Sequence, residues 1–323
     1  MNSELLFDNL TNPALLMFLL GVLAVQFKSD LTIPENSSKF ISLYLLFSIG
    51  FKGGQELAHS SLGIELFSLL GFGMLLAGLV PLYTFFILKR KLGTANAGAI
   101  AAAYGSVSAV TFVTAVSFLE MQQIAYGGHM VAVMALMEAP AIIVGVLLMS
   151  LYNKNKTEKI SMTKVIKHSF TNGSVFLIMG SLLVGLLASE KQAQGIAPFT
   201  TDIFKGFLAI FLLDMGIVSG RKLSAFWKNG FFPLAFATII PLFNGMLVAY
   251  LSRFVSASHG DQFLFAILAA SASYIAVPAA MKLAAPDANP GLYIPMALAV
   301  TFPLNITIGM PIYMSIIEYL PIA

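Results

Sequence analysis

Two stretches of small and hydroxyl-bearing residues carry the clearest chemical signal in this sequence. They lie at residues 97–111 and 269–279, where Gly105 and Pro278 weaken helical structure. If each helix unwinds there, the amides that begin the resumed helix can bind an anion together with nearby hydroxyls, and unwound carbonyls can bind Na⁺. The alternative is close packing of small residues, with each hydroxyl bonded to its own helix. The predicted substrate-binding residues are Gly105, Ser106, Val107, Ser108, Ser271, Ala272 and Ser273.

Three polar side chains inside apolar segments are candidate Na⁺ ligands. Glu138 lies in mid-segment before a proline, where a carboxylate can bind Na⁺ or carry a proton, and a protonated acid bonded to a neighbouring helix is the alternative. Asp214 can be a second cation ligand or the ion-pair partner of Arg221 or Lys222, and both interpretations stay open. Asn305 offers an amide oxygen as a ligand, and a packing role is equally open.

The amino-acid composition indicates the class of protein to which these residues belong. Only 18 basic and 15 acidic residues occur among 323, while 58% of residues are hydrophobic and the mean hydropathy is +0.86. A soluble domain carries about 25% charged residues, so the sequence indicates an integral membrane protein and excludes an ordinary soluble enzyme. The absence of cysteine excludes disulfides and Fe–S clusters.

The remaining motifs narrow the function further. The net charge of +3 predicts no nucleic-acid partner. The sequence contains neither a phosphate-cradling loop nor a hydrolase motif, so we expect no enzyme activity and no organic cofactor. The expected ligands are therefore a small anion and Na⁺, with membrane lipid around the chain.

Hydropathy predicts ten membrane-spanning helices, since a bilayer core needs about 20 apolar residues per helix. Loops after odd-numbered helices contain fourteen of the 18 Lys and Arg residues, which predicts that these loops are cytoplasmic and that both termini lie outside. No basic region precedes the first apolar run, so a cleaved signal peptide is not expected. The predicted spans are 13–27, 39–53, 66–88, 95–119, 129–152, 173–189, 203–219, 230–251, 263–283 and 291–319.

The two halves of the chain resemble each other at an offset of about 165 residues. Each half contains five predicted spans, and an odd number inverts the second half relative to the first. The predicted domains are a five-helix repeat at 1–152, a cytoplasmic linker at 153–172 and an inverted five-helix repeat at 173–323. Chance similarity of Gly/Ser/Ala-rich helices is the alternative. The shared features are Gly50 with Gly54 and Gly216 with Gly220, Ser106 with Ser108 and Ser271 with Ser273, and Pro140 and Pro303.

Four segments, in their order and spacing, resemble the sodium-dependent bicarbonate permease family known from cyanobacteria. They lie at 104–111, 137–140, 269–273 and 288–293. The resemblance implies an all-α membrane protein of ten helices in two inverted halves, with a gate and a core domain. It also implies that the fourth and ninth helices are discontinuous and cross at the substrate site in the midplane.

The same resemblance implies roles for individual residues and for partners. Thr111 and the serines of both stretches lie where the family binds bicarbonate and sodium, and Glu138 replaces a family aspartate. A homotrimer, a PII-like cytoplasmic regulator and a bacterial inner membrane are also implied. The chain departs from the family pattern at Val110, where a hydroxyl is expected, and at Tyr274, where a serine-rich run ends in aspartate.

The sequence therefore predicts a secondary transporter that couples Na⁺ to a small anion, with bicarbonate first. One alternative is a proton-coupled or exchanging transporter of another small carboxylate or of a cation. Another is a membrane receptor that senses an anion without transporting it.

Overall fold

The computed structural model describes residues 7, 9–59, 63–152, 162–227 and 230–319, and within these residues the chain is helical without strands. Short turns at Pro198–Asp202 and Ser252–Phe254 extend two of the helices. The helices are α1 Pro13–Gln26, α2 Glu35–Ala58, α3 Ile64–Gly105, α4 Ala109–Met121, α5 His129–Tyr152, α6 Met162–Thr171, α7 Gly173–Leu187, α8 Glu190–Ala197, α9 Phe204–Phe226, α10 Phe231–Leu251, α11 His259–Ala270, α12 Ala276–Ala284 and α13 Pro290–Tyr319.

Local sequence explains where several helices begin. The Asn12 side chain accepts a hydrogen bond of 2.9 Å from the amide of Ala14, and Asn172 caps α7 in the same way at 3.0 Å. Asn289 caps α13, whose first residue is Pro290. Asparagine at the cap and proline at the first position satisfy or remove amides that have no partner within the helix.

The helix α3 is a hairpin of two helices. Gly93 has φ +77° and ψ 166°, a conformation that glycine adopts without the steric cost of a Cβ. Gly105 lies directly against Pro81, and the two residues stand equally far along the chain on either side of Gly93. The chain therefore reverses at Gly93, which separates the predicted third span from the predicted fourth.

Among the residues that the structure describes, five helical runs are long and apolar enough to cross a membrane, and α1 and α7 are shorter apolar helices. The first run, Leu66–Met121, contains 56 residues, well above the roughly 20 that one crossing needs. The chain is thus a multi-pass membrane protein. The five long runs are Leu66–Met121, His129–Tyr152, Glu190–Leu223, Phe231–Phe254 and Pro290–Tyr319.

Two details concern the predicted linker and the predicted tenth span. The part of the linker at 153–172 that the structure describes contains α6, and residues 153–161 lie outside the described part of the chain. The tenth span does not break at Pro303. It stays helical through π-helical turns at Met296–Thr301 and Asn305–Gly309. A wider turn accommodates the proline ring and its missing amide without ending the helix.

Close glycine contacts join four helices into a unit that we call the glycine-packed unit: α1, α2, α7 and α9. A Cβ at Gly54 of α2 would overlap the carbonyl of Leu182 in α7, and a Cβ at Gly216 of α9 would overlap the carbonyl of Phe18 in α1. The backbones can touch only because these positions lack side chains.

The other large group of helices is the broken-helix unit: α3, α4, α5, α10, α11, α12 and α13. Its centre is α11, in which every residue after His259 is buried. The Phe118 ring of α4 stacks on Phe263 of α11, with centroids 5.3 Å apart. This packing places the two hydroxyl-rich stretches side by side.

Candidate functional site

The two hydroxyl-rich stretches are non-helical and touch each other. Helical structure stops at Gly105 and resumes at Ala109, and it stops again at Ala270 and resumes at Ala276. The Ser108 amide donates a 3.0 Å hydrogen bond to the Ser271 hydroxyl. The Ser273 amide donates a 2.8 Å hydrogen bond to the carbonyl of Ala103. The two breaks are therefore joined by hydrogen bonds that satisfy backbone groups. A helix resumes after each break.

Each resumed helix presents its N-terminus beside the other. The Ser108 hydroxyl accepts a hydrogen bond of 3.2 Å from the Thr111 amide, and the Ser273 hydroxyl accepts one of 3.4 Å from the Val277 amide. The first amides of a helix have no acceptor within that helix and carry its positive dipole end. Pro278 lies in the first turn of α12, where a missing amide costs no hydrogen bond. The pair of N-termini is thus suited to a negative charge.

A small cavity lies at these N-termini. Its volume is about 20 Å³, close to the space needed by a single water molecule. Glu138 of α5 faces it and is the only acid among the described lining residues. The lining consists of Ser42, Leu45, Leu46, Val107, Ser108, Ala109, Val110, Val113, Glu138, Ser174, Phe211, Ser273, Tyr274, Ile275 and Ala276.

Glu138 is buried and incompletely paired. Its side chain is 7% exposed, and Oε2 has no hydrogen-bond partner among the residues that the structure describes. The same holds for the buried hydroxyls of Ser106 and Thr111 at the first break. An unpaired buried polar atom costs about 1–3 kcal/mol. Carboxylate and hydroxyl oxygens are ligands that a hard cation prefers, so each of these groups is chemically suited to Na⁺.

The second break is satisfied differently. Asn305 donates a 2.7 Å hydrogen bond to the carbonyl of Ala270, and its own amide oxygen accepts one of 2.9 Å from the Tyr313 hydroxyl. Asn244, which the sequence reasoning passed over, donates to the carbonyl of Ala269 at 3.3 Å. The signal for it was an asparagine in the middle of an apolar span. Both asparagines thus donate hydrogen bonds to backbone carbonyls at the end of α11, where the second break begins. Neither asparagine is among the described residues that line the cavity.

Asp214 lies in a separate, larger space that we call the vestibule. This space measures about 460 Å³ and also contains Lys39 and Arg221. The Ser38 hydroxyl donates a hydrogen bond to the Asp214 carboxylate. The structure therefore does not bring Asp214 into the cavity beside Glu138. It places the carboxylate at the approach to that cavity, with two basic side chains.

The predicted site residues thus divide into three groups. Val107, Ser108, Ser273 and Glu138 line the cavity. Asp214 lines the vestibule and Asn305 caps a carbonyl. The others lie in or directly beside the breaks without appearing in the described lining: Gly105, Ser106, Thr111, Ser271 and Ala272.

Aromatic residues of the site were missed as site members. Tyr274 follows the second hydroxyl cluster, and Phe211 comes from α9; both line the cavity. Tyr274 was visible in the sequence only as a departure from a family pattern. Phe211 sits in an apolar helix and gave no sequence signal, because only the tertiary structure brings it to the cavity.

Ion pairs lie at the other ends of these helices. Lys52 of α2 pairs with Glu120 of α4 at 2.8 Å. Lys205 of α9 lies 4.0 Å from the same carboxylate. These contacts connect the glycine-packed unit to the broken-helix unit on the side away from the vestibule, next to the C-terminal end of α4.

Comparison with known families identifies the family of this chain. Residues 13–318, nearly the whole chain, match the model of the Na⁺-dependent bicarbonate transporter superfamily. No curated protein matches the chain in a sequence comparison.

Proposed function

The chain belongs to the Na⁺-dependent bicarbonate transporter superfamily, and from this premise we propose that it is a secondary transporter that carries bicarbonate together with Na⁺. One observation carries the proposal. A buried carboxylate, Glu138, faces the same cavity as the N-termini of α4 and α12. A site for a cation therefore adjoins a site for an anion, which is the arrangement that symport of opposite charges requires.

The cation half of the proposal rests on oxygen ligands. Na⁺ would bind Glu138, with Thr111 and released backbone carbonyls as further candidates. Asp214 and Asn305 remain proposed as ligands of a second cation in another conformation. A cation beside Glu138 neutralises its charge in a region where an isolated buried charge is expensive. Filling of this position would thus precede or accompany binding of the anion.

The anion half rests on the amides and hydroxyls of the two breaks. Ser108 and Ser273 line the cavity, and their hydroxyls accept hydrogen bonds from first-turn amides of the helices whose N-termini face it. Gly105, Ser106, Val107 and Ala272 would shape the same site through their backbone, and Ser271 through its hydroxyl, which accepts a hydrogen bond from the Ser108 amide. Helix N-termini bind anions without a buried positive side chain. Desolvation selects for a small, weakly charged anion such as bicarbonate.

Alternating access would follow from movement between two groups of helices. We propose ten membrane passes in two inverted repeats, 1–152 and 173–323, with the breaks crossing at the midplane. Two contacts support the repeat: α2 meets α7 at Gly54, and α9 meets α1 at Gly216, so in each half the second predicted span packs through a glycine on a short apolar helix. The broken-helix unit would move against the glycine-packed unit and carry the site from one side to the other.

The proposal also covers the orientation of the chain in the membrane, the kind of membrane and the partners of the chain. The vestibule would open to the cytoplasm, because Lys39 and Arg221 line it and belong to the predicted cytoplasmic side. Both termini would lie outside, in a bacterial inner membrane. A homotrimer and a PII-like cytoplasmic regulator are further proposed partners.

The test is uptake of labelled bicarbonate into proteoliposomes with an imposed Na⁺ gradient, matched by an equal K⁺ gradient as control. We expect uptake with Na⁺ and only background with K⁺. Uptake that follows a pH gradient and ignores Na⁺ would contradict Na⁺ coupling and select the proton-coupled alternative. Binding of bicarbonate without any flux would select a receptor.

A further inference from the structure

Tyr274 stands between the cavity and the vestibule. Five residues line both spaces, and Tyr274 is one of two aromatic residues among them. The vestibule is about 460 Å³ and the cavity about 20 Å³. The shared residues are Ser42, Ser174, Phe211, Tyr274 and Ile275.

The contacts of Tyr274 hold its ring across this boundary. The ring packs edge-on against Phe302 of α13, with centroids 6.2 Å apart, and its hydroxyl lies 3.9 Å from the sulfur of Met215 in α9. On the cavity side the phenol lies beside Ser108. Tyr274 thus belongs to the second break yet touches α9 of the glycine-packed unit. A side chain that bridges the two units must change its contacts when they move.

A tyrosine between the cavity and the vestibule can act in two ways, through its ring and through its hydroxyl. Its ring is bulky and apolar, so it blocks ions where it lies. Its hydroxyl can donate a hydrogen bond to an oxyanion next to the donors of the first break. Because tyrosine carries no charge at neutral pH, it leaves Glu138 as the only acid among the described cavity-lining residues.

We infer that Tyr274 is both the barrier between vestibule and cavity and a residue that selects the transported anion. Phe211 completes the barrier from the opposite unit. The ligand class is a small oxyanion with an oxygen that accepts a hydrogen bond from the phenol. The selection half rests on the proposed transport function, whereas the barrier half does not.

The barrier is tested by thiol labelling, for which the chain is well suited because it contains no cysteine. Val110 lines the cavity only and Val218 lines the vestibule only. We would introduce Val110→Cys, and Val218→Cys as the matched control, and measure labelling by a charged thiol reagent with no substrate present. With Tyr274 intact, Val110→Cys should react slowly and Val218→Cys rapidly.

Removal of the ring should change only the first of these rates. In Tyr274→Ala, labelling of Val110→Cys should rise about ten-fold or more, since access depends on the fraction of molecules that are open. Tyr274→Phe keeps the ring and should leave the rate low. If Tyr274→Ala does not fold, Phe211→Ala removes the other aromatic ring of the barrier and should raise the labelling of Val110→Cys in the same way. Unchanged labelling in the folded variants would overturn the barrier, whatever the protein transports.

Selection is tested by Tyr274→Phe in uptake assays, with Tyr250→Phe in α10 as the control on a largely exposed face. Loss of one hydrogen bond to a charged ligand should raise the KM for bicarbonate about ten- to hundred-fold. The Na⁺ dependence should stay parental. An unchanged bicarbonate KM in Tyr274→Phe would overturn the selecting role while leaving the transport proposal intact. Absence of Na⁺-driven uptake in the parent protein would instead overturn the proposed function.

Discussion

The amide of Ser108 donates a hydrogen bond to the hydroxyl of Ser271 at 3.0 Å, across 163 positions of sequence. The bond joins two helix breaks that come from opposite halves of the chain. With the reciprocal bond from the Ser273 amide to the carbonyl of Ala103, it fixes the positions of both helix N-termini. The breaks are therefore one unit, and a change at either should alter ion binding at the other.

Substitution of Ser271 should show this dependence. Ser271→Ala removes the acceptor of the buried Ser108 amide, and an unpaired buried donor costs about 1–3 kcal/mol. We expect a lower melting temperature and a higher bicarbonate KM, measured by thermal unfolding in detergent and by uptake.

Ser315→Ala is the matched control, because the Ser315 hydroxyl donates a hydrogen bond to the carbonyl of Pro311 within its own helix. It should leave both quantities near the parental values. A parental melting temperature and KM in Ser271→Ala would contradict the assigned role of the bond.

Glu138→Gln should abolish the stimulation of uptake by Na⁺ while the protein remains folded. Glutamine keeps the size of the side chain but removes the charge that the cation neutralises, so the cation loses its strongest ligand. Uptake at a series of Na⁺ concentrations provides the measurement.

The control is Glu318→Gln, which makes the same change at an exposed site near the end of α13. It should retain full Na⁺ stimulation. Retained stimulation in Glu138→Gln would remove this residue from the coupling mechanism.

Asn305→Ala distinguishes a carbonyl cap from a cation ligand. Asn305 donates to the carbonyl of Ala270 and accepts from the Tyr313 hydroxyl, so its loss leaves two buried groups unpaired. If the residue acts only as a cap, thermal stability and maximal uptake should fall while the Na⁺ concentration for half-maximal uptake stays constant. Asn244→Ala, which loses a similar cap at Ala269, should behave alike. A rise in the required Na⁺ confined to Asn305→Ala would instead support it as a ligand.

Gly216→Ala should disrupt the glycine-packed unit. A methyl group there would overlap the backbone of Phe18, and two helix backbones would have to separate. Gly206→Ala is the control on the same helix, with open space around the added methyl. We expect lost expression or a clearly lower melting temperature for Gly216→Ala, and parental or slightly raised stability for Gly206→Ala because alanine favours helix. Equal behaviour of the two variants would contradict the proposed close packing.

Patterns within short stretches predicted much of the organisation of this chain. Apolar length identified a membrane protein, and clustered small residues located the helix breaks near Ser106 and Ser271. The sequence does not show how the chain behaves at Pro303, where π-helical turns keep the helix intact. Whether a proline breaks a helix depends on how its neighbours satisfy the released carbonyl, and residues far away in sequence control that outcome.

The sequence by itself determined which residues could bind ions, because polar groups in an apolar segment stand out locally. The tertiary structure decided which of them share one space. It brings Glu138 to the cavity of Ser108 and Ser273, yet leaves Asp214 in the vestibule. It also adds Phe211, which has no polar atom to mark it. The reason is physical: helix packing brings together side chains that are far apart along the chain, and this packing is set by close contacts over whole helix faces.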